Sequence, residues 1–188
     1  MSKSGFRGII FILIISFALI LDKSGSDPIK DQNYVRMETA AMNIQVIRAS
    51  QTWQQAGAYY VRIQGMARQH NISLRQEFDD HDTPNTEYIV LIDNDFPVAT
   101  CRFYKLDECS AMIGRVVVLQ EYRGKGLGKQ TVLEAEKWLK EKGIFTAVIE
   151  SRTVAVGFYE KLGYIVTDES IIHGDTFDCI RMEKKLDD

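Results

Sequence analysis

The sequence predicts an α/β fold built on a mixed, mostly antiparallel sheet of six to seven strands, with helices on both faces and a central parallel β-α-β unit. Runs of β-branched and apolar residues alternate with segments of helical periodicity in the order β-α, then a β-meander, then β-α-β-α-β-β. A strand–helix–strand crossover is right-handed and joins parallel strands. The middle of the chain therefore predicts the parallel unit.

The composition is that of one globular domain. The chain has 188 residues, of which 45% are apolar and 26% charged. A net charge of -3 gives no support for nucleic-acid binding, which usually requires a clustered basic surface. Cys101, Cys109 and Cys179 are odd in number and lack the spacing of zinc ligands, so we expect reduced thiols in a cytoplasmic protein and no metal site.

Residues 1–42 are predicted to be an extension that precedes the folded domain at 43–188. Lys3 and Arg7 come before an apolar run, 9–21, which is shorter than the ~20 residues that a spanning helix needs. Three explanations stay open: translation that begins at Met37 or Met42, a membrane anchor, and a cleaved export signal. Membrane association is expected only if the run is translated.

The first half of the chain is predicted to form a strand, a helix and a three-stranded meander. The apolar run 44–47 predicts the strand, and helical periodicity predicts the helix over 53–68. The apolar face of this helix is expected to consist of Trp53, Ala56, Tyr60 and Ile63. The acidic segment 77–82 reads as a polar connection that ends in a turn. The strands of the meander are expected at 88–92, 98–104 and 111–119.

The second half is predicted to alternate between helix and strand. An amphipathic helix over 127–142 ends where Gly143 suits a left-handed cap. The nearly all-apolar run 145–150 is typical of a buried parallel strand. A second helix over 153–162 ends at Gly163. The last two strands are expected near 164–167 and 177–182.

A glycine-rich loop between strand 111–119 and helix 127–142 is the segment predicted to carry the chemistry. It reads Arg123-Gly124-Lys125-Gly126-Leu127-Gly128, followed by Lys129. Glycines allow close approach of the backbone to a ligand, and the N–H groups of a first helical turn favour an anion. The loop therefore predicts a phosphate site with lysines at its rim.

The spacing of the glycines in the loop restricts which type of phosphate ligand it can bind. A Walker-type loop needs Gly-Lys-Ser/Thr for magnesium, and no such triplet occurs. The dinucleotide fingerprint needs G-x-G-x-x-G, whereas the loop gives G-x-G-x-G. Glu150, near the end of the next strand, lies where a ribose-binding acid is expected and keeps nucleotide binding open as an alternative.

With these motifs, the chain is similar to the GNAT superfamily of N-acetyltransferases over residues 44–186. Arg123, Gly126 and Gly128 match the family signature Gln/Arg-x-x-Gly-x-Gly/Ala, and 116–119 matches the strand that lies along the pantetheine arm. The segment 155–164, AVGFYEKLGY, matches the second hallmark, in which a tyrosine stands four residues after an alanine. Two hallmarks at the expected separation are far more specific than one.

Within the superfamily, the chain most resembles the small ElaA/YjcF-like bacterial group. The resemblance rests on four early charged residues and on 113–116 before the loop. The early residues are Arg62, Glu77, Asp79 and Asp82. Three positions depart from the pattern, where relatives tend to have proline, asparagine and histidine: Gln120, Arg152 and Cys179.

The resemblance implies that acetyl-CoA is the co-substrate and that a primary amine of a small molecule or protein attacks the thioester directly. Tyr159 is the expected catalytic residue, as the general acid for the departing thiolate. An N–H exposed at a strand bulge near Val117 or Val118 is expected to stabilise the thioester oxygen. The residues expected to bind acetyl-CoA are Val116, Val117, Val118, Arg123, Gly124, Lys125, Gly126, Leu127, Gly128 and Lys129.

Several points stay open from the sequence. The general base is one of four carboxylates or a water chain; the carboxylates are Glu77, Asp79, Asp82 and Glu108. Arg115 is expected either to face the acceptor or to form a surface ion pair. A non-catalytic acetyl-CoA-binding sensor or interaction module is the alternative function, and a homodimer is an open alternative for assembly. Because acetyl-CoA is cytosolic, the expected location is the cytoplasm, with a membrane-anchored alternative.

Overall fold

A computed structural model describes residues 42–186 of the chain. The predicted extension over 1–42, with its apolar run 9–21, lies outside the described residues except for Met42.

The centre of the described chain is a seven-stranded mixed sheet, which confirms the predicted fold class. The strands are β1 Ile44–Arg48, β2 Glu87–Asp93, β3 Phe96–Lys105, β4 Ser110–Val118, β5 Thr146–Arg152, β6 Ile165–His173 and β7 Asp178–Lys185. The spatial order is β1-β2-β3-β4-β5-β7-β6, and β4 and β5 form the predicted parallel pair. The α-helices are α1 Thr52–Arg62, α2 Leu74–Glu77, α3 Leu127–Glu141 and α4 Val156–Glu160.

The two faces of the sheet are covered by different helices. Along β2, Ile89 and Leu91 belong to the apolar cluster that contains the buried residues of α3. The intervening residues Tyr88 and Val90 instead pack in a second cluster with Ala58 of α1. Because successive side chains of a strand point to opposite faces, α1 and α3 lie on opposite sides of the sheet.

The predicted apolar face of the first helix was wrong. Trp53 and Tyr60 are 55% and 44% exposed. The side chains that α1 buries include Val61 and Arg62, neither of which has exposed surface. A charged residue occupies this buried position because carboxylates of the acidic segment surround it, and periodicity in apolar residues cannot reveal such a pairing.

The helix also changes geometry where it crosses β4. Residues Ile63–Arg68 form a π-helical turn that continues α1. A Cβ on Gly65 would lie 2.6 Å from Val117 Cγ1, so only a glycine allows the helix to pack this closely on the strand.

Some predicted boundaries differ in the last third of the chain. The helix expected over 153–162 is a 3₁₀ turn, Thr153–Ala155, followed by α4. Both final strands are longer than predicted. β6 is exposed over most of its length and lies at the edge of the sheet, so it lacks the apolar alternation that marks a strand in sequence.

The parallel strands β4 and β5 separate towards their carboxyl ends. They pair from Ser110 to Met112 and not beyond. On its other side, β4 carries a bulge, because Arg102 pairs with Gly114 while Thr100 pairs with Val117. Two residues of β4, at 115 and 116, thus oppose one residue of β3. The bulge lies slightly before the predicted position at Val117 or Val118, and it bends β4 where the strands part.

Candidate active site

The gap between the diverging strands is the floor of a cleft of about 930 Å³. Its walls are 113–118 of β4 and parts of 149–152 of β5, together with the π-helical turn, α4 and the link between β6 and β7. Pairing between two central strands ends where the cleft begins. The cleft is therefore a consequence of the sheet's own geometry.

One end of the cleft is the start of α3. Gly124 and Gly126 have φ values of +75° and +81°, in the left-handed region that favours glycine. Gly126 caps α3, and no side chain in the described part of the chain caps the first turn with a hydrogen bond. The N–H groups at 127–129 are therefore available to an anion at the positive end of the helix dipole. The backbone geometry expected of a phosphate site is thus present, and phosphate binding there stays a prediction.

The basic side chains of the loop differ in their positions. Lys129 lines the cleft. Lys125 does not line it and instead lies over the ring of Tyr122, with its Nζ 4.9 Å from the ring centroid. The Arg123 side chain lines the cleft while its guanidinium donates to the Val118 carbonyl at 3.1 Å and to Gln69 Oε1 at 2.6 Å. Arg123 thus fastens the loop to β4 and to the first helix.

All three predicted valines line the cleft. The Leu119 N–H donates to the Val98 carbonyl at 2.9 Å. In an antiparallel ladder, alternate residues direct their backbone groups to the neighbouring strand. The N–H of Val118 therefore faces away from β3, towards the side where its carbonyl meets Arg123. This places an N–H donor on the open side of β4.

Tyr159 of α4 is a buried side chain in the wall of the cleft. It is 8% exposed and contacts Phe158 and Tyr164 edge-on, at centroid distances of 4.9 and 5.8 Å. Burial raises the pKa of Tyr159 well above its usual value, and the neighbouring thiols of Cys101 and Cys179 raise it further. The hydroxyl therefore stays protonated at neutral pH, which is the state required of a proton donor.

The acidic segment is not a solvated loop, because its carboxylates bind buried arginines. Arg62 donates to Glu77 Oε1 at 2.7 Å and to both oxygens of Asp82, at 2.5 and 3.0 Å. Arg102, which is 3% exposed, makes two 2.7 Å hydrogen bonds to Asp79. The segment is thereby held against the sheet on the α1 side.

Arg115 joins this network from the bulge of β4. It donates to Asp79 Oδ2 at 2.9 Å and to the Glu77 carbonyl at 3.1 Å. Its φ of +52° is uncommon for a residue with a side chain, and such strain costs about 1–3 kcal/mol. Arg115 both lines the cleft and pairs with carboxylates, so an ion pair is present, whereas a role towards the acceptor stays a prediction.

Three of the four predicted general bases are hydrogen-bonded to arginines of this network. Burial raises the pKa of Asp82, but hydrogen bonds from Arg62 and Tyr88 outweigh it and hold this pKa well below its usual value. Asp79 shows the same balance, with Arg102 as the main partner, and its pKa is also lowered. The Glu108 side chain is 97% exposed and lies outside the cleft lining. Glu77 lines the cleft but is bound by Arg62.

The opposite wall contains three polar residues that the sequence analysis singled out, Glu150 as a possible ribose-binding acid and Arg152 and Cys179 as departures from the family pattern. Glu150 and Arg152 alternate along β5, and Cys179 is the register partner of Arg152 on β7. His70 and Phe177 close this wall, with ring centroids 5.1 Å apart. The signal for this wall in the sequence is the pair of charged residues at alternate positions at the end of an otherwise apolar strand.

The described residues also limit other kinds of site. Among residues 42–186, no group of three or more His, Cys, Asp or Glu side chains is placed to hold a metal ion. No helix within the same range is long and apolar enough to cross a membrane.

Comparison with known proteins gives a consistent result. The profile of the Acetyltransferase (GNAT) family matches residues 49–164. An uncharacterized acetyltransferase of Streptococcus pyogenes serotype M1 is 35% identical over 91 residues, which are 48% of this chain and 64% of the relative. The match thus spans less than two thirds of that relative's length. YyaT of Bacillus subtilis is 32% identical over 120 residues, which are 63% of this chain and 80% of the relative.

Solved structures share the same architecture. A Lactobacillus plantarum protein described as an N-acetyltransferase has a TM-score of 0.72 and 32% identity, covering 76% of this chain and 98% of that one. Escherichia coli ElaA has a TM-score of 0.64 at 22% identity, covering 77% and 99%. A GNAT family acetyltransferase from Elizabethkingia anophelis, solved with acetyl-CoA bound, has a TM-score of 0.55 at 16% identity, covering 76% and 98%. The last two similarities concern the fold alone.

Proposed function

The chain belongs to the acetyltransferase (GNAT) family, and on that premise we propose that it transfers the acetyl group of acetyl-CoA to a primary amine by direct attack. The observation that carries the proposal is the cleft, which joins the free N-terminus of α3 to the gap between β4 and β5. The conserved architecture of the family supports the same use of the cleft. We place the transferase within residues 43–188 and in the cytoplasm, where acetyl-CoA is made.

The residues present fit acetyl-CoA. The uncapped N–H groups at the start of α3 suit its pyrophosphate, and no side chain at Gly124 or Gly126 obstructs the approach. Val116, Val117 and Val118 offer an apolar wall with backbone groups for the pantetheine arm. When bound, acetyl-CoA supplies the acetyl group as an activated thioester.

The roles of the protein follow from these positions. The cleft holds the amine near the acetyl carbon, and such positioning removes much of the entropic barrier. The Val118 N–H is the donor proposed to stabilise negative charge that develops on the carbonyl oxygen. The Tyr159 hydroxyl, which stays protonated, is proposed to donate its proton to the leaving sulfur.

We propose Glu150 as the group that accepts the proton of the amine, directly or through water. It lines the cleft from the end of β5. Arg181 lies opposite it in the register but pairs with Glu183 at 3.2 Å. The predicted general bases are bound by arginines or lie outside the cleft, whereas Glu150 lines the cleft and has no arginine partner within residues 42–186.

Membership of the ElaA/YjcF-like group is a further part of the proposal. The four early charged residues that suggested it form one buried network with Arg102 and Arg115. A shared network of this kind would shape the acceptor side of the cleft in the same way. The acceptor is proposed to be a small molecule or a protein amine, and a homodimer is the assembly to be tested.

A turnover screen separates the proposed enzyme from a non-catalytic acetyl-CoA sensor. Purified protein is incubated with acetyl-CoA and panels of amines, polyamines, amino acids and peptides, and released CoA is measured with a thiol reagent. We expect at least one acceptor to give CoA release that scales with enzyme concentration. Tight acetyl-CoA binding by calorimetry without acceptor-dependent CoA release would instead identify a sensor.

A further inference from the structure

Arg152 is a cation without a carboxylate partner in the wall of the cleft. It ends β5, and its guanidinium lies over the ring of Phe177, 3.8 Å from the centroid. Its Nε is buried and has no hydrogen-bond acceptor. Within residues 42–186, no carboxylate lies within ion-pair distance of it. The ring covers one side of the guanidinium plane and leaves the N–H groups for another partner.

The three arginines beside the acidic segment differ from Arg152. Arg62, Arg102 and Arg115 each bind one or more carboxylates of the acidic segment. Arg102 also has a buried Nε without an acceptor, but its other nitrogens hold Asp79 and Asp82. A partly buried guanidinium that no carboxylate neutralises is costly unless an anion completes it. Unlike these three arginines, Arg152 has no carboxylate partner among residues 42–186.

The face of the sheet indicates where that anion belongs. Ala147 and Ile149 of β5 pack in the cluster with α3. Successive side chains of a strand point to opposite faces, so Glu150 and Arg152 lie on the other face of the sheet, which is the face of the acidic network. The Gly-rich loop already provides the phosphate site at the start of α3. The pantetheine arm between the two regions is uncharged. The acceptor is therefore the component that would bring an anion to Arg152.

The surroundings support an anionic ligand. His70, which contacts Phe177 edge-on, has its pKa lowered by burial and then by the positive charges of Arg152 and Arg123. On the other side of Arg152, Glu150 lies two residues away on the same strand, at a separation of roughly 6–7 Å between backbone positions. A ligand with an ammonium and an anionic group would thus meet a carboxylate and a guanidinium together.

We propose that Arg152 binds an anionic group of the acceptor, so that the preferred substrates are amines that also carry a carboxylate or a phosphate. This inference rests on the proposed acetyl transfer and specifies its substrate class. Arg152 then determines specificity, and Glu150 receives the amine of the same molecule. Carboxylate and phosphate share the chemistry that a guanidinium recognises through two parallel hydrogen bonds.

The test compares acceptors that differ only in the anionic group. The pairs are L-phenylalanine with phenethylamine, L-lysine with cadaverine, and phosphoethanolamine with ethanolamine. Binding of each to the full chain saturated with CoA is measured by calorimetry, and acetylation is measured separately with acetyl-CoA. We expect the anionic member of at least one pair to bind about 10- to 100-fold more tightly, the range for a hydrogen bond to a charged group.

Substitutions at position 152 test whether the preference for anionic acceptors depends on Arg152. Arg152→Gln is expected to abolish it, Arg152→Lys to retain part of it, and neither to change the acetyl-CoA dissociation constant. Arg181→Gln is the matched control, because Arg181 lies on the adjacent strand, pairs with Glu183 and does not line the cleft. It should keep the full preference.

The outcomes separate the two proposals. The substrate inference is wrong if the anionic acceptor of each pair binds no more tightly than its neutral counterpart. It is also wrong if Arg152→Gln weakens acetyl-CoA binding and leaves the preference for anionic acceptors intact. Acetylation of neutral amines without preference would preserve the proposed function and overturn the inference. Arg152-dependent binding of anionic amines without any acetylation would support the binding site and overturn the enzymatic function.

Discussion

Gly126 is the residue on which the phosphate end of the cleft depends. Its left-handed φ of +81° turns the chain into α3, and a Cβ there would meet no protein atom within 4 Å. A side chain at this position would thus be accommodated by the protein alone but would project into the space where the phosphate is proposed to bind. An experiment can therefore separate the effect of backbone strain on stability from the effect of the added side chain on ligand binding.

We predict that Gly126→Val lowers acetyl-CoA affinity by tenfold or more. A β-branched residue resists a positive φ, at a cost of about 1–3 kcal/mol, and its methyl groups would obstruct the pyrophosphate. Gly143→Val is the matched control, because Gly143 has a φ of +75° and open space around it at the other end of α3. Calorimetry should show weaker binding only for Gly126→Val, whereas both variants lose similar stability in urea. Equal affinities would remove the loop from the binding site.

We predict that Tyr159→Phe lowers kcat by about 10²-fold with little change in acetyl-CoA affinity. The ring remains packed, but the leaving thiolate loses its proton donor, and such donors contribute ~10²–10⁴-fold. The lower end is expected because a CoA thiolate is a good leaving group. Tyr164→Phe is the control, since the Tyr164 ring lies 5.8 Å from the Tyr159 ring, centroid to centroid, and the Tyr164 side chain lies outside the cleft. A kcat within twofold of wild type for Tyr159→Phe would contradict the assigned role.

At the scale of elements, the acidic segment 77–82 acts as a clamp between α1, β3 and the bulge of β4. Its carboxylates bind Arg62, Arg102 and Arg115, one from each of these elements. Removing one partner of a buried pair leaves an uncompensated charge and is strongly destabilising. The clamp therefore fixes the bulge that bends β4 away from β5.

We predict that Asp79→Asn destabilises the protein at neutral pH and that this difference disappears in acid. The pKa of Asp79 is lowered from 3.8 in the folded state, so its contribution to stability is present above 3.8 and is lost as the pH falls through the folded value. Urea unfolding between pH 7 and pH 3 should show the two stability curves converging below about pH 4. Asp80→Asn, at an exposed neighbouring position, should follow wild type throughout. A pH-independent difference would mean that folding does not lower the pKa of Asp79.

At the scale of the whole molecule, the sheet assembles one cleft from segments far apart in sequence. The loop at 123–129, the end of β5, α4 and the link before β7 meet only because β5 is placed between β4 and β7. The described part of the sheet begins with β1 at Ile44, and the Asn43 N–H donates to Asp93 Oδ1 at 3.0 Å.

We predict that a chain shortened to begin at Met42 folds and binds acetyl-CoA as tightly as the full chain. Every element of the described sheet and every residue proposed to bind acetyl-CoA is retained in it. Circular dichroism should show the same secondary structure, and calorimetry should give dissociation constants within about twofold. Loss of folded protein would show that residues before Met42 belong to the domain.

The sequence by itself determined the class of fold, the glycine loop and the position of Tyr159 in the second hallmark. These features depend on local properties: apolar periodicity, glycine's access to positive φ and residue spacing along short segments. Gly143 and Gly163, placed at helix ends from sequence, indeed have φ values of +75° and +90°. The exposed edge strand β6 was shorter in the prediction because its residues carry no burial pattern.

Only the tertiary structure decided which charged residues are neutralised and which face the cleft. The sequence indicates only a polar connection at the acidic segment, whereas the structure places the buried Arg62 and Arg102 beside it. In the sequence Arg152 is one departure from a family pattern, and only the structure shows that its buried Nε has no acceptor among the described residues. Pairing of charges depends on distances between elements, and the energies of burial and ion pairing follow those distances rather than positions along the chain.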